Sequence, residues 1–298
     1  MKAYEKWKLI TPGSSNLPSW LQKYAGSCSI LPIKNSDLFH LYITGRDSMN
    51  RSVIGRATWD PSKPQELQEI SKDPIIELGH LGTFYDSGMS YPFLLEVENE
   101  IYMYFTGWKK GSTVPFYNRI GLCIKKNNED SFVAKQSPVL HLTDDDCFGS
   151  GSMQVIKEKE SFTMFYTSFL GWTNNKGKLS HSYKLRKTCS SNGIIWNEER
   201  EHLSIEMACK FDNICKPFLH KGNFYFCARD NGADYSIYVL EDYLNNHENI
   251  KKVDFSIVSS NWDSNGQAYP TLIDVDNKTF LFYSGNNYGE GGMGVAIL

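Results

Sequence analysis

The 298-residue chain contains no apolar stretch near the roughly 18 residues needed to cross a bilayer, so membrane insertion is not expected. Its opening segment, Met1 to Thr11, is charged and lacks the apolar region of a signal peptide, which points to a cytoplasmic protein. Charge of one sign is never concentrated. The formal net charge is −3 with no basic block, which argues against a nucleic-acid partner. The seven cysteines form an odd set with no CxxC pair, so buried reduced thiols are expected rather than a disulfide framework or a zinc site. Histidines 40, 80, 141, 181, 202, 220 and 247 show no ligand spacing, and Asp144-Asp145-Asp146 lacks the EF-hand pattern. Neither a metal nor a cofactor is therefore expected. Helical periodicity is also scarce, confined to two short candidates at Leu17 to Tyr24 and Leu240 to Glu248.

Aromatic residues are abundant (17 Tyr, 17 Phe and 7 Trp), and they recur in a pattern. Tyr42-Ile43-Thr44-Gly45, Tyr104-Phe105-Thr106-Gly107, Phe165-Tyr166-Thr167-Ser168, Phe226-Cys227-Ala228-Arg229 and Phe282-Tyr283-Ser284-Gly285 place their second residues at 43, 105, 166, 227 and 283. A period of roughly 60 means one supersecondary unit repeated several times. Each phrase lies in an apolar run that reads as a strand, with turn chemistry at Asn35-Ser36-Asp37, Lys221-Gly222-Asn223 and Asp276-Asn277. Gly289-Glu290-Gly291-Gly292 joins two strands and reads as a tight hairpin. The pattern predicts an all-β fold, a five-bladed β-propeller with an axial pocket, as a single domain over residues 1–298. The run Glu5 to Ile10 is the natural strand to complete the last sheet and close the ring.

Function is sought where the repeats differ. Asp86, Asp212 and Asp263 precede Pro92, Pro217 and Pro270 at similar distances, and Asp47 follows the first aromatic phrase. Several carboxylates around one axial pocket suit glycosidic bond cleavage, in which one acid protonates the leaving oxygen and another attacks or activates water. The bland alternative is that these residues cap turns. Arg46, Arg51, Arg119, Lys216 and Arg229 lie at strand ends, and such cations fit an anionic sugar or nucleotide sugar. Structural ion pairing with the same aspartates is the competing fate. Trp108, Tyr269, Tyr91 and Trp172 offer faces for a sugar ring, or for the core.

Gly79-His-Leu-Gly-Thr-Phe-Tyr-Asp-Ser-Gly88, Ile101 to Trp108, Thr113 to Gly121, Asn50 to Gly55, Trp262-Asp-Ser264 with Tyr269-Pro270, and Tyr283 to Gly289 with Gly294-Val-Ala296 together resemble a bacterial group labelled glycosyl hydrolase. That group is similar to the five-bladed propeller glycosidases: arabinanases, invertases and mannoside phosphorylases. The resemblance implies a carbohydrate-active enzyme that cleaves or transfers a glycosyl unit, with a role in bacterial surface-polysaccharide (capsule) biosynthesis. It makes Asp86 and Asp263 the first candidates for catalytic carboxylates, then Asp47 and Asp212. The substrate-binding candidates are Arg46, Arg51, Arg119, Lys216, Arg229, Trp108 and Tyr269. The chain departs from the group at Tyr85 and Asn265, where acids are usual, at Ala25-Gly26-Ser27 in place of His-Ala-Gln, and at Lys216 in place of Arg. The alternative is a non-catalytic sugar-binding propeller that scaffolds a polysaccharide assembly pathway.

Overall fold

The structure, a computed structural model, describes residues 1–298 other than 128, 204, 206–208, 231, 247 and 256–260. It is nearly all β. Five antiparallel four-stranded units follow one another along the chain. The first holds β2 (Ala25–Pro32), β3 (Phe39–Arg46), β4 (Ser52–Trp59) and β5 (Leu67–Ile70). The second holds β6 (Gly88–Val97), β7 (Glu100–Lys110), β8 (Phe116–Lys126) and β9 (Val133–Ala134). In the third are β10 (Ser150–Lys157), β11 (Phe162–Asn175), β12 (Lys178–Ser190) and β13 (Glu201–His202). The fourth comprises β14 (Asn213–His220), β15 (Asn223–Arg229), β16 (Ser236–Leu240) and β17 (Ile250–Lys252). The fifth has β18 (Ala268–Val275), β19 (Lys278–Ser284) and β20 (Met293–Ile297), and its outer strand is β1 (Glu5–Ile10), as the sequence suggested. Strands from both ends of the chain thus share one sheet.

The opening strands of the units touch in the order β2, β6, β10, β14, β18, and β18 returns to β2. One hydrogen bond repeats at every junction. The amide of Tyr91 donates to Thr44 Oγ1 (3.0 Å), that of Ser152 to Thr106 Oγ1 (2.9 Å) and that of Lys216 to Thr167 Oγ1 (3.2 Å). The series continues with Tyr269 N to Cys227 Sγ (2.9 Å) and Ser27 N to Ser284 Oγ (3.2 Å). The small hydroxyl or thiol of each aromatic phrase is therefore the acceptor that locks the next unit in place. Those acceptors, 44, 106, 167, 227 and 284, correct the repeat in the fourth unit. Its phrase is Tyr225-Phe226-Cys227, one residue earlier than the aromatic pattern alone implies, because Cys215 pairs with Cys227 just as Gly26 pairs with Thr44.

Each donor sits on a β-bulge of its opening strand, and Ser27, Tyr91, Ser152, Lys216 and Tyr269 all have φ between 30° and 62°. The left-handed region costs a non-glycine residue on the order of 1 kcal/mol or more, and it persists only where the surroundings impose it. Here the junction hydrogen bond imposes it five times.

Five apolar clusters fill the five junctions, one between each pair of neighbouring units. Leu41 and Ile43 face the fifth unit, while Tyr42 faces the second. The middle strands are buried on both faces, which is why their sequence reads as continuous rather than alternating apolar runs. The glycine that closes several phrases has a packing cause. A Cβ on Gly45 would lie 2.3 Å from the Trp20 carbonyl oxygen, and one on Gly107 would lie 2.6 Å from the Phe84 ring.

Turns at Lys221-Gly222 and Asp276-Asn277 have positive φ at both positions, as tight hairpins require. Other local expectations change. Leu17 to Tyr24 yields one 3-10 turn at Ser19–Leu21, and the described part of Leu240 to Glu248 is the last residue of β16 followed by turn and irregular structure, His247 lying outside the described residues. The connection containing Gly289 to Gly292 is a loop over residues 285–292 rather than a tight hairpin, because Asn286–Gly289 forms a turn with Asn287 and Tyr288 left-handed. Among the described residues, no helix is long and apolar enough to cross a membrane.

Candidate ligand pocket

A cavity of about 250 Å³ opens where the five units meet. The residue two places after each junction acceptor lies at its wall in four units: Arg46, Trp108, Phe169 and Arg229. The bulge residues Tyr91, Ser152 and Tyr269 also line it, and Ser27 lines a smaller recess that shares Arg46, Tyr91 and Tyr269 with the main cavity. The second and third units add height through their long middle hairpins, which supply Phe116, His181 and Tyr183.

Both arginines are held by tyrosines. The Arg46 guanidinium carbon lies 4.4 Å from the centre of the Tyr24 ring, and Nη1 donates to Asn50 Oδ1 at 3.3 Å. Arg229 lies 4.6 Å from the Tyr235 ring and 5.4 Å from that of Tyr288, and its Nη1 donates to the Tyr288 hydroxyl at 2.5 Å. Its Nε is buried with no hydrogen-bond partner. Stacking leaves a guanidinium edge available to accept an anion in the plane.

Aromatic rings form the remaining wall. Tyr91 meets Tyr269 edge-on at 5.0 Å, and Trp108 meets Phe116 at 4.7 Å while its Nε1 donates to Ser90 Oγ. His181 stacks on Phe169 at 5.4 Å and contacts Trp172 at 4.7 Å. Burial among these rings, and then the Arg229 charge, lower the His181 pKa from 6.5 to about 4. It is a neutral imidazole at pH 7. Burial pushes the phenols of Tyr91, Tyr235 and Tyr269 well above their ordinary value, so they stand as neutral hydroxyls.

Of the residues singled out in the sequence, the structure brings Arg46, Arg229, Trp108, Tyr269 and Tyr91 together at this cavity. The others lie elsewhere. Arg51 Nε pairs with Asp47 Oδ2 at 2.8 Å, in a turn closed by the Arg51 amide on Asp47 Oδ1. Arg119 Nη1 donates to the Asn118 carbonyl at 2.7 Å, and Trp172 packs behind His181. Asp86 accepts from the Gly82 amide at 2.9 Å and the Ser87 hydroxyl at 2.7 Å, a turn cap next to β6. Asp212 is exposed just before β14. Lys216 is fully buried and is not part of the cavity lining.

Asp263 is buried and held by Lys6 Nζ at 2.9 Å and by the Tyr283 hydroxyl at 2.7 Å. Its arrangement is repeated. Asp263 and Asp146 each stand five residues before the bulge partner of their unit, Ala268 or Gly151, and each accepts from the phrase tyrosine, Tyr283 or Tyr166. Asp146 also takes Arg200 Nε at 3.1 Å and the Ser168 hydroxyl. In the second unit the same two places hold Tyr85 and Phe105, whose rings meet at 5.5 Å. The acid missing at Tyr85 is thus matched by the hydroxyl missing at Phe105. Acid–tyrosine and tyrosine–phenylalanine are two versions of one clamp between a loop and the middle strand.

Among the described residues, no carboxylate lines the cavity, and no group of three or more His, Cys, Asp or Glu side chains is arranged to hold a metal. Phe116, His181, Tyr183, Tyr235 and Tyr288 were not singled out in the sequence. Phe169 was available from the repeat, as the counterpart of Arg46 once the phrases are aligned on their hydroxyl.

The fold is one carried by glycoside hydrolases. A structure described as "Glycoside hydrolase" matches with a TM-score of 0.70 at 14% identity, covering 99% of this chain and 91% of that one. A thermostable family-43 glycoside hydrolase matches at 0.62 and 12% identity, over 98% and 91% of the two chains. A structure from the GH130 family of mannoside phosphorylases matches at 0.66 and 13% identity, over 97% and 90%. No family model matches the sequence. At the level of sequence, the chain belongs to the family of "Uncharacterized protein Rv1502" of Mycobacterium tuberculosis, with which it is 30% identical over 291 residues, 94% of this chain and 96% of that protein.

Proposed function

We propose that the five units are the blades of a five-bladed propeller, one domain over residues 1–298, and that its axial cavity takes a sugar bearing an anionic group. A phosphate-activated or nucleotide-linked glycosyl donor is the best match. The observation that carries this reading is the wall itself: its formal charges are Arg46 and Arg229, and its described lining has no carboxylate. Guanidinium forks bind phosphate bidentately, and the Trp108 and Tyr269 rings offer faces to a sugar. The fold shared with glycoside hydrolases and mannoside phosphorylases supports a carbohydrate-active enzyme that cleaves or transfers a glycosyl unit.

The chemistry follows from the leaving group. An ordinary glycoside leaves as an alkoxide and needs a carboxylic acid to protonate it, with a second carboxylate opposite. A phosphate leaves as a stable anion and needs no proton. Arginines that gain contact with the departing charge then stabilise the transition state directly. The C1–O bond breaks with its electron pair on the phosphate oxygen, an acceptor oxygen bonds to C1, and the acceptor proton goes to a base. Neutral His181, on the wall, is the group placed to take it. A general-acid role for Asp86 or Asp263, or for Asp47 or Asp212, makes a different demand: those carboxylates must reach the sugar. The donor class is that of cytoplasmic surface-polysaccharide assembly, the setting implied by the sequence resemblance.

A non-catalytic sugar-binding protein is the second reading, favoured by the same carboxylate-free wall. One experiment separates the two. The protein is incubated with a panel of nucleotide sugars and matched neutral nitrophenyl glycosides, and both binding and release of nucleoside diphosphate or nitrophenol are followed. Release of nucleoside diphosphate, lost in Arg229→Gln, supports the enzyme; binding without release supports the second reading. Turnover of neutral glycosides that Asp86→Asn and Asp263→Asn abolish would return the chemistry to a carboxylate pair.

A further inference from the structure

Outside the residues that line the ligand cavity is a buried cation with no hydrogen-bond partner. Lys216 is fully buried at 0% exposure, and its Nζ has no hydrogen-bond partner. It occupies the bulge position of the fourth unit, equivalent to Ser27, Tyr91, Ser152 and Tyr269, the tier of side chains turned in at the ring's centre. Its ammonium interacts electrostatically with Cys215 and Cys227 of its own unit and with Cys28 of the first. The first and fourth units are separated by the fifth, so the interaction with Cys28 joins two units that share no junction. No carboxylate is among these groups. Burial raises the Cys28 thiol to about 12 and pushes Cys215 well above its ordinary value, so both stay protonated at neutral pH. Cys227 Sγ accepts the Tyr269 amide, and the phenols of Tyr91 and Tyr269 are neutral.

A second orphan stands in the same tier. Ser27 is 3% exposed, and its Oγ is buried without a partner although its amide is used in the junction to the fifth unit. Buried polar groups are almost always satisfied, and a buried charge left alone is among the costliest features a fold can carry. Two orphaned donors at equivalent positions of the ring, one charged, point to the same missing species.

We propose that a small inorganic anion of halide size binds at the centre of the ring between Lys216 Nζ and Ser27 Oγ, beside the ligand cavity. The anion supplies the charge that the ring's own side chains lack. It also ties the first unit to the fourth across the centre, which no junction hydrogen bond does. Because it does not rest on the sugar assignment, the site stands whatever ligand the cavity takes.

A ligand bound only by the folded state raises the unfolding midpoint by mass action. The full-length protein is therefore unfolded thermally at pH 6.5 and constant ionic strength while sodium gluconate is exchanged for sodium chloride or bromide. The expected result is a midpoint that climbs by several degrees between about 1 and 100 mM halide, a shallower climb in Ser27→Ala, and no climb in Lys216→Met. Crystals of the unaltered protein grown in bromide should show an anomalous peak beside Lys216 Nζ, a readout that needs no variant to fold. A midpoint indifferent to halide, an equal climb in Lys216→Met, or bromide peaks only at the surface would each overturn the proposal.

Discussion

In the third and fifth units, buried acids are fully occupied. Asp146 is held by Arg200, Tyr166 and Ser168, and Asp263 by Lys6 and Tyr283. At the centre of the ring the balance is reversed. Arg46 and Arg229 line a cavity with no carboxylate on its described wall, and Arg229 Nε and the buried Lys216 Nζ have no hydrogen-bond partner. The same scaffold thus uses acids to hold its loops and keeps cations for its interior opening. A glycosidase built on paired carboxylates would show the opposite distribution at its centre. Charge that is satisfied within the chain is architecture; charge left unsatisfied in a cavity is an invitation to a ligand.

The comparison breaks most sharply at the acids. Asp263→Ala leaves the Lys6 ammonium buried and unpaired, and should cost about 3–5 kcal/mol of unfolding free energy by denaturant titration. Replacing the whole set with the apolar version found in the second unit, Asp263→Tyr with Tyr283→Phe and Lys6→Met, should recover most of it. If Asp263→Ala is neutral for stability yet lowers turnover, Asp263 belongs to the chemistry and not to the clamp.

At the centre, removing a cation has the reverse sign. Burial lowers the Lys216 pKa from 10.5 to about 8, so the unfolded chain takes up the proton first as pH falls. The contribution of Lys216 to stability is therefore largest above pH 10.5 and declines by about 3 kcal/mol as pH drops to 8. Lys216→Met should flatten that decline and, in gluconate at pH 7, be the more stable protein. His181 behaves alike at lower pH. With its pKa lowered to about 4, it withdraws about 2 kcal/mol of stability as pH falls from 6.5 to 4, and His181→Phe should remove that loss.

The smallest effects on stability belong to the cavity arginines. Arg46→Gln and Arg229→Gln should each change unfolding free energy by under about 1 kcal/mol while weakening an anionic ligand about 10- to 100-fold by calorimetry. Equal loss for neutral and anionic sugars would blur the contrast between centre and clamp.

Much of the fold was legible because one physical demand recurs in every unit. Each middle strand is buried on both faces and ends in a small acceptor, so an aromatic run closed by Thr, Ser or Cys marks it. The fourth unit slipped by one residue because Cys227 was weighed as an aromatic-phrase filler and not as the counterpart of Thr44. Of the pocket, Arg46, Trp108 and Arg229 were readable, since they follow the acceptor by two places. His181, Tyr235 and Tyr288 come from the far strand of a hairpin and from loops, whose lengths differ between units and leave no periodic trace. The aspartates are ambiguous in the sequence for a specific reason. A carboxylate before an opening strand looks alike whether it faces the axis or turns back to a tyrosine, and only the pairing of Asp263 with Tyr283 and Asp146 with Tyr166 tells the two apart.

The most direct test is equilibrium binding of a nucleotide sugar and of the same sugar as a neutral glycoside, to the unaltered protein and to the Arg46→Gln/Arg229→Gln double variant. The account predicts that the unaltered protein binds the nucleotide sugar at least about tenfold more tightly than the neutral glycoside, and that the double variant loses this preference while still folding. Tight binding of the neutral glycoside, unchanged in the double variant, would contradict it.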